Sequence, residues 1–97
     1  MSDQPATPLP AQFTALGFVH TLVATLGRWR IYRRSKPGGR EHFEVIRPVI
    51  RKTTYIDGAW QPCEPREAYP SPEQWGTDAF TCQSEDRARA KLATLAA

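Results

Sequence analysis

The residues of this chain with the clearest chemical potential form an alternating cationic and aromatic run, RWRIYRRS, which begins at Arg28. Successive side chains of a strand point to opposite faces, so an extended backbone would place Arg28, Arg30, Tyr32 and Arg34 on one face. Guanidinium groups neutralise phosphates, and an aromatic ring can stack on an exposed base. The run therefore predicts sequence-independent contact with nucleic acid.

A solvated strand face is the competing interpretation of this run. An antiparallel sheet commonly keeps one face in water, and the aliphatic stems of arginines lie along such a face. Few aromatic residues are interleaved, and no RNP-type motif accompanies them. We keep both interpretations, with nucleic-acid contact as the sharper hypothesis.

The charge distribution points either to an anionic partner or to ion pairs within the chain. The net charge is +3, but residues 28–52 carry nine Lys or Arg against Glu41 and Glu44, whereas residues 53–97 carry four basic and seven acidic residues. A basic half beside an acidic half suggests a polyanionic partner or intramolecular pairing of the two halves.

The polar residues typical of catalytic sites occur here without the motifs that make them catalytic. The serines lack a nucleophile elbow or a triad context, and the stretch KPGGR has two glycines but no helix start after it. Nothing in the sequence marks a pair of carboxylates as buried. We therefore expect a protein that is not an enzyme and that carries no cofactor.

Cys63 and Cys82 are the only cysteines of the chain. They could form a disulfide, or bind a metal together with His20 and His42, but no close-spaced pair of the C-x-x-C type supports a metal site. We expect two reduced thiols in a cytoplasmic protein and no metal.

The first 27 residues divide into a polar tail and an apolar segment. Residues 1–10 are proline-rich and polar, which predicts a disordered tail. In residues 11–27 apolar side chains recur at spacings of three and four, which favours a helix, although β-branched residues leave a strand open. This segment is shorter and more polar than a membrane helix, and the chain start is not basic like a signal peptide, so we expect no membrane contact.

Gly38-Gly39 predicts the first of two β-hairpins. A two-residue loop there would place Tyr32 opposite Val45 and bring Phe43 and Arg47 to the arginine face. A slip of one residue would turn the return strand over. The candidate nucleic-acid-binding residues are therefore Arg28, Arg30, Tyr32, Arg34 and Arg47.

Asp57-Gly58 predicts the second hairpin, with Tyr55 opposite Trp60 and Ile56 opposite Ala59. Proline cannot donate a hydrogen bond to a ladder, so we expect two prolines to end the second strand of this hairpin early: Pro62 and Pro65.

The stretch YPSPEQWGTDAF carries capping signals. Ser71 followed by Pro72 and Gln74 is typical of a capping box with proline at the first helical position, and Gly76 suits a left-handed exit. These signals predict one helical turn that buries Trp75 against the sheet. Ser71, Trp75 and Gly76 are thus structural candidates.

The end of the chain predicts a short strand over residues 77–82 and a last helix over residues 85–96. Ser84 would cap this helix, and acidic residues occupy its first turn. The helix presents a narrow apolar stripe formed by Ala88, Leu92 and Leu95.

The segment Tyr-Pro-Ser-x-x-x-Trp-Gly, residues 69–76, with the following Phe80-Thr81 and SEDRARAKL, resembles short uncharacterised proteins encoded by bacterial genomes, phages and prophages. In those proteins a basic strand pair leads into this segment, a short aromatic strand and a closing helix. The resemblance covers about residues 29–95. It implies no activity and brings no catalytic residues.

The sequence as a whole predicts one α+β domain over residues 11–97. We expect a mostly antiparallel meander of three to four strands, a C-terminal helix packed on one face, and an N-terminal helix or an extra strand. The expected function is that of an accessory or interaction protein that contacts nucleic acid through the arginine strand. The alternative is a protein-binding adaptor or inhibitor that acts on a host or phage protein without a nucleic-acid role. The oligomeric state stays open.

Overall fold

The computed structural model describes residues 6–96 and shows an α+β fold with seven strands and a single C-terminal α-helix in this range. Five strands form one antiparallel sheet in the order β1-β2-β3-β4-β7, and β5 and β6 form a separate two-stranded ribbon. The elements are β1 (Gln12–Ala15), β2 (Phe18–Leu26), β3 (Trp29–Ser35), β4 (His42–Ile46), β5 (Val49–Ile56), β6 (Ala59–Ala68), a 3-10 turn (Pro72–Gln74), β7 (Ala79–Cys82) and α1 (Glu85–Ala96). The fold class and the closing helix are confirmed, whereas the number of strands exceeds the predicted three or four.

The N-terminal apolar segment is a pair of strands, so of the two structures left open for residues 11–27 the strand is correct and the favoured helix is wrong. β1 and β2 pair through a tight turn at Leu16-Gly17. The pairing of β2 with β3 is irregular between Leu22 and Ala24. A bulge adds one residue to a strand and breaks its alternation. Apolar residues on either side of it therefore recur at helix-like spacings.

The register between β3 and β4 differs from the predicted one by one residue. Tyr32 pairs with Glu44, and Ile31 pairs with Val45. The reason lies in the turn, because the N–H of Gly39 donates to the carbonyl of Lys36 at 3.0 Å. With Pro37 and the positive φ of Gly38 at its centre, this turn has the residue pattern of type II. The connection is therefore longer than a two-residue loop, and β4 is turned over relative to the prediction.

One face of the sheet, here the helix face, packs against α1 and is apolar. Its buried residues are Trp29, Ile31, Phe43, Val45, Ala88 and Leu92. The backbone N–H of Arg87 donates to the hydroxyl of Ser84 at 3.2 Å, so the predicted cap is confirmed. Apolar burial on this face fixes the helix against β3 and β4.

The opposite face, here the open face, is covered in part by residues 6–11 and 69–75. Its buried residues are Tyr32, Ile46 and Ala79, with Leu9, Phe13, Leu22 and Tyr69 packed against them. Residues 6–10 of the predicted tail lie in this cover, where the N–H of Thr7 donates to the carbonyl of Pro65 at 3.0 Å. Residues 1–5 of the predicted tail lie outside the described residues.

The β5–β6 ribbon, residues 49–68, is called the arm. The predicted pairing of Tyr55 with Trp60 and of Ile56 with Ala59 is confirmed. The predicted early end of the second strand is wrong, because β6 continues to Ala68. The pairing is irregular between Arg51 and Thr53, so residues 63–65 of β6, which include Pro65, lie outside the regular ladder.

The segment after the arm contains the predicted capping turn. The side-chain oxygen of Gln74 accepts hydrogen bonds from the N–H of Ser71 at 2.9 Å and from its hydroxyl at 3.2 Å. Trp75 is not fully buried, since 37% of it is exposed, but its indole N–H donates to the hydroxyl of Thr81 at 2.9 Å. Gly76 has φ +93°, as a left-handed exit requires. No helix within residues 6–96 has the length and apolar character needed to cross a membrane.

Candidate binding site

The residues predicted to bind nucleic acid do not share one free surface. Tyr32 is fully buried, and its hydroxyl donates to the carbonyl of Pro10 at 2.9 Å. Because the ring has no exposed surface, the prediction that Tyr32 stacks on a base is wrong. Arg47 lies on the helix face, as the corrected register requires, with its guanidinium carbon 5.1 Å from the centre of the Trp29 ring.

Three of the predicted arginines face carboxylates of their own chain. Arg30 NH1 lies 2.9 Å from Glu67 Oε1, and Arg47 Nε donates to Asp78 Oδ1 at 2.9 Å. These two pairs join the basic half of the sequence to the acidic half, which is the second of the two interpretations that the charge distribution allowed.

Arg34 is the third arginine of this kind, with its NH1 3.8 Å from Glu44 Oε2. Arg28, in contrast, lies exposed in the turn between β2 and β3. Nucleic-acid binding stays a prediction, but the arginine face offers it few uncommitted groups.

The open face contains a cavity of about 490 Å³ between the β1–β2 end of the sheet and the segment after the arm. Strands β1 to β4 and β7 each contribute to its floor, and residues 69–75 form one wall. The residues that line it are Phe13, Ala15, Leu16, His20, Arg34, Glu44, Tyr69, Pro70, Pro72, Trp75 and Thr81. Its volume falls within the usual range of small-molecule sites.

A buried carboxylate, Glu44, lies at the centre of the polar part of this cavity. It is 3% exposed, and its Oε1 accepts a hydrogen bond from the Tyr69 hydroxyl at 2.5 Å. His20 Nε2 lies 3.9 Å from the same oxygen, and Arg34 approaches the other one. A buried charge is tolerated when donors surround it, and here three donor-bearing side chains surround one carboxylate.

The pKa shifts of this cluster follow from its burial. Burial, followed by the charge of Glu44, raises the pKa of Tyr69 well above its ordinary value, so the phenol stays a hydrogen-bond donor. Burial lowers the pKa of His20, while the nearby Glu44 acts in the opposite direction and Arg34 in the same one. The imidazole is therefore neutral at neutral pH.

Two nitrogens of the cluster, Arg34 Nε and His20 Nδ1, are buried without a hydrogen-bond partner among the residues that the structure describes. The guanidinium of Arg34 lies over the Phe18 ring, 3.8 Å from its centre, which holds it at the cavity wall. Its NH1 is beyond hydrogen-bond distance of Glu44. Arg34 therefore has donors without a partner in residues 6–96.

Aromatic rings pack against one another around this cluster. Phe13 and His20 are stacked at 4.6 Å, and the Tyr69 ring meets the edges of both. Trp75 adjoins Tyr69 at 6.3 Å and carries the aromatic wall towards solvent. These contacts make a rigid apolar surface beside the polar cluster.

Leu16, at the lip of the cavity, is 92% exposed and has φ +54°. The left-handed conformation costs a side chain with a Cβ about 1–2 kcal/mol, and Asn or Gly is the usual residue there. The other hairpin turn of the same type, Asp57-Gly58, has the usual pattern. An exposed leucine in strained backbone points to a role other than stability.

The tip of the arm is the second unusual surface. Tyr55 and Trp60 are 60% and 69% exposed and meet edge to face at 5.4 Å. Ile56 and Ile50 are also among the exposed large apolar residues. Residues 55–62, at the tip, are all exposed, whereas the root of the arm contacts the body through Thr7 and Arg30.

The structure does not assemble the alternative chemistry considered for the cysteines. Both Cys63 and Cys82 are free, one on the arm and the other on β7. Within residues 6–96 no three His, Cys, Asp or Glu side chains lie close enough to hold a metal ion. The lining of the cavity combines aromatic rings, hydrogen-bond donors and the carboxylate of Glu44.

Comparison with known proteins gives no further guide, since no family model, curated protein or solved structure matches the chain. The cluster of His20, Glu44 and Tyr69 was not predicted from the sequence, because two of its members lie on separate strands and the third follows the arm. The predicted register between β3 and β4 hid part of this cluster. The correct register places Glu44 on the same face as Tyr32 and Arg34.

Proposed function

We propose that this protein is a non-enzymatic binding module that docks on a protein partner through the tip of its arm. The observation that carries the proposal is the exposed Tyr55–Trp60 pair at the tip of the arm, where residues 55–62 are all exposed. This is the alternative prediction, a protein-binding adaptor or inhibitor, with the tip of the arm as its binding surface.

An isolated two-stranded hairpin is only marginally stable in water. Such a ribbon normally gains stability by packing one face on a core, yet this arm exposes its largest apolar side chains. Trp and Tyr are the residues that most often dominate binding energy at protein interfaces. A partner that buries Tyr55 and Trp60 would supply the packing that the arm lacks in isolation.

The charge of the arm favours a protein as the occupant. Residues 49–68 carry three basic and three acidic residues, so the arm is neutral overall. Binding to nucleic acid rests mainly on excess positive charge, whereas interface cores are depleted in charge and rich in aromatic residues. The arm matches the second description. A link to phage or prophage biology stays a prediction based on the resemblance.

The test compares the wild-type chain with Trp60→Ser and with a matched control, Leu26→Ser. Leu26 is an exposed apolar residue on β2, outside the arm. A photo-crosslinking residue is placed either at Gln61, on the arm, or at Gln83, on the body; both are exposed. We expect a discrete crosslinked partner from position 61, lost in Trp60→Ser and kept in Leu26→Ser.

All variants should have the wild-type melting temperature, because the substituted side chains are exposed. A partner that is kept by Trp60→Ser, or that crosslinks only from position 83, would contradict the proposal.

The nucleic-acid hypothesis is tested on the same proteins by retention on single- and double-stranded nucleic acid at rising salt. Contact through phosphates weakens steeply with salt. We expect no retention at low salt. Salt-sensitive retention that Arg28→Glu reduces and Trp60→Ser does not would replace the arm proposal with a nucleic-acid role.

A further inference from the structure

We propose that the cavity on the open face binds a small ligand in which an aromatic ring carries a carboxylate. This inference is independent of the arm. It rests on three features of the cavity: its aromatic wall, its surplus of hydrogen-bond donors and its strained apolar lip.

The wall determines the apolar part of the ligand. Phe13, Tyr69 and Trp75 present rings to the cavity, and Pro70 and Pro72 complete this side. The rings are held by contacts with one another, and the Trp75 indole is fixed by its hydrogen bond to Thr81. Flat, preformed aromatic surfaces favour a flat ring, which packs on them at little cost in conformational entropy.

The polar cluster determines the charge of the ligand. Glu44 Oε1 already accepts from Tyr69, and Arg34 lies beside Oε2, so the carboxylate of Glu44 is shielded from an incoming cation. The Arg34 side chain lines the cavity and is 28% exposed, and its NH1 is too far from Glu44 for a hydrogen bond. Guanidinium donors bind carboxylates strongly and often in pairs. An acidic group therefore fits this cluster better than an amine.

A bound ligand would explain why a leucine occupies an unfavourable backbone conformation at the lip of the cavity. Leu16 is almost fully exposed and lies in left-handed backbone, where a leucine is unfavourable. As a lining residue of the cavity, it would cover the ring of a bound ligand. The strain is then offset only when the ligand is present.

The main test is an NMR titration with phenylacetate, which joins a ring to a carboxylate. The indole N–H signals of the three tryptophans provide internal controls, because Trp29 lies on the helix face and Trp60 on the arm. We expect a saturable shift of the Trp75 signal only. Benzylamine, which has the same ring and the opposite charge, should bind at least tenfold more weakly.

Two variants assign the polar contact. Arg34→Gln should weaken phenylacetate binding at least tenfold, whereas Arg33→Gln should leave it unchanged. Arg33 is the matched control, since it directly precedes Arg34 on β3 and points to the other face of the sheet. Equal affinities of these two variants would contradict the proposal.

A third variant keeps the test valid if Arg34→Gln fails to fold. Leu16→Asn places a residue suited to left-handed backbone at the lip. We expect a melting temperature at or above the wild-type value, together with affinity for phenylacetate reduced about threefold or more. Unchanged affinity would mean that Leu16 does not cover the ligand, and would count against the proposal.

The carboxylate could belong to a free small acid or to the end of a polypeptide chain. A short peptide ending in phenylalanine and its C-terminal amide distinguish these sources. Tighter binding of the acid peptide than of phenylacetate would assign the site to chain termini, and weaker binding would assign it to small acids.

The absence of a saturable Trp75 shift with both phenylacetate and the acid peptide, or tighter binding of benzylamine than of phenylacetate, would overturn the proposal. Trp60→Ser should bind phenylacetate like the wild type, so failure of this inference leaves the arm proposal untouched.

Discussion

The two faces of the five-stranded sheet bury adjacent residues of the same strand by different chemistry. Ile31, on the helix face, and Tyr32, on the open face, are both fully buried. Ile31 is surrounded by apolar side chains, whereas the face that holds Tyr32 also contains the buried pair of His20 and Glu44.

This difference suggests that the helix face serves stability and the open face serves binding. Apolar packing is the straightforward way to stabilise a small domain. Buried charges cost free energy unless they are well paired, and replacing them with apolar residues is often neutral or stabilising. The open face keeps such charges, together with donors that have no partner in the described part of the chain, and so has the character expected of a binding site.

The largest effect should follow from damage to the helix face. Ile31→Ala removes a fully buried side chain and leaves a cavity, so we expect the free energy of unfolding to fall by about 2–5 kcal/mol. Chemical denaturation measures this change. Arg33→Ala, also on β3 but largely exposed, should change stability by less than about 0.5 kcal/mol. Similar values for both variants would mean that the helix face is not the main core.

A smaller loss should follow on the open face from Tyr69→Phe. The ring stays, but the buried carboxylate of Glu44 loses its closest donor. We expect a loss of about 1–3 kcal/mol, the usual range for an unsatisfied buried polar group. Tyr55→Phe, on the exposed arm, is the control and should have almost no effect. A neutral result for Tyr69→Phe would indicate that Arg34 or His20 moves in to replace the phenol.

The third and smallest effect is a dependence of stability on pH that originates from the open face. Burial lowers the pKa of His20 below the ordinary value of 6.5. The unfolded chain therefore takes up this proton at a higher pH than the folded one, and the free energy of unfolding should fall as the pH drops from about 6.5 towards the folded pKa.

Denaturation at pH 7.5 and at pH 5.5 measures this difference. His20→Phe, whose ring can keep the stacking with Phe13, should reduce the difference, and His42→Gln should retain it. A pH dependence that is the same in wild type and His20→Phe would assign the effect to other groups.

Local signals in the sequence were sufficient for the parts of the fold that are local. The cap at Ser84, the turn at Ser71 and the pairing of Tyr55 with Trp60 depend on residues within a few positions of one another, and all were predicted correctly. Tertiary environment was not readable in the same way. Trp75 was expected to be buried and is partly exposed, and the exposure of the arm had no sequence signal.

The errors arose where one residue changes a register or a face. The turn containing Pro37 shifts β4 by one position, and the irregularity after Leu22 conceals the alternation of β2. Because His20, Glu44 and Tyr69 belong to separate elements, the candidate site could be found only after these registers were known. A sequence pattern reports the period of a strand but not its offset from a neighbour.

The direct succession of the arm and the cavity wall has a mechanical consequence. Ala68 is the last residue of β6, and the next residue is Tyr69, whose phenol is hydrogen-bonded to Glu44. Because the chain passes directly from β6 to Tyr69, a displacement of the root of the arm would also displace this phenol. If docking causes such a displacement, the partner on the arm and the ligand in the cavity must change each other's affinity by the same factor, and the two sites would be thermodynamically coupled.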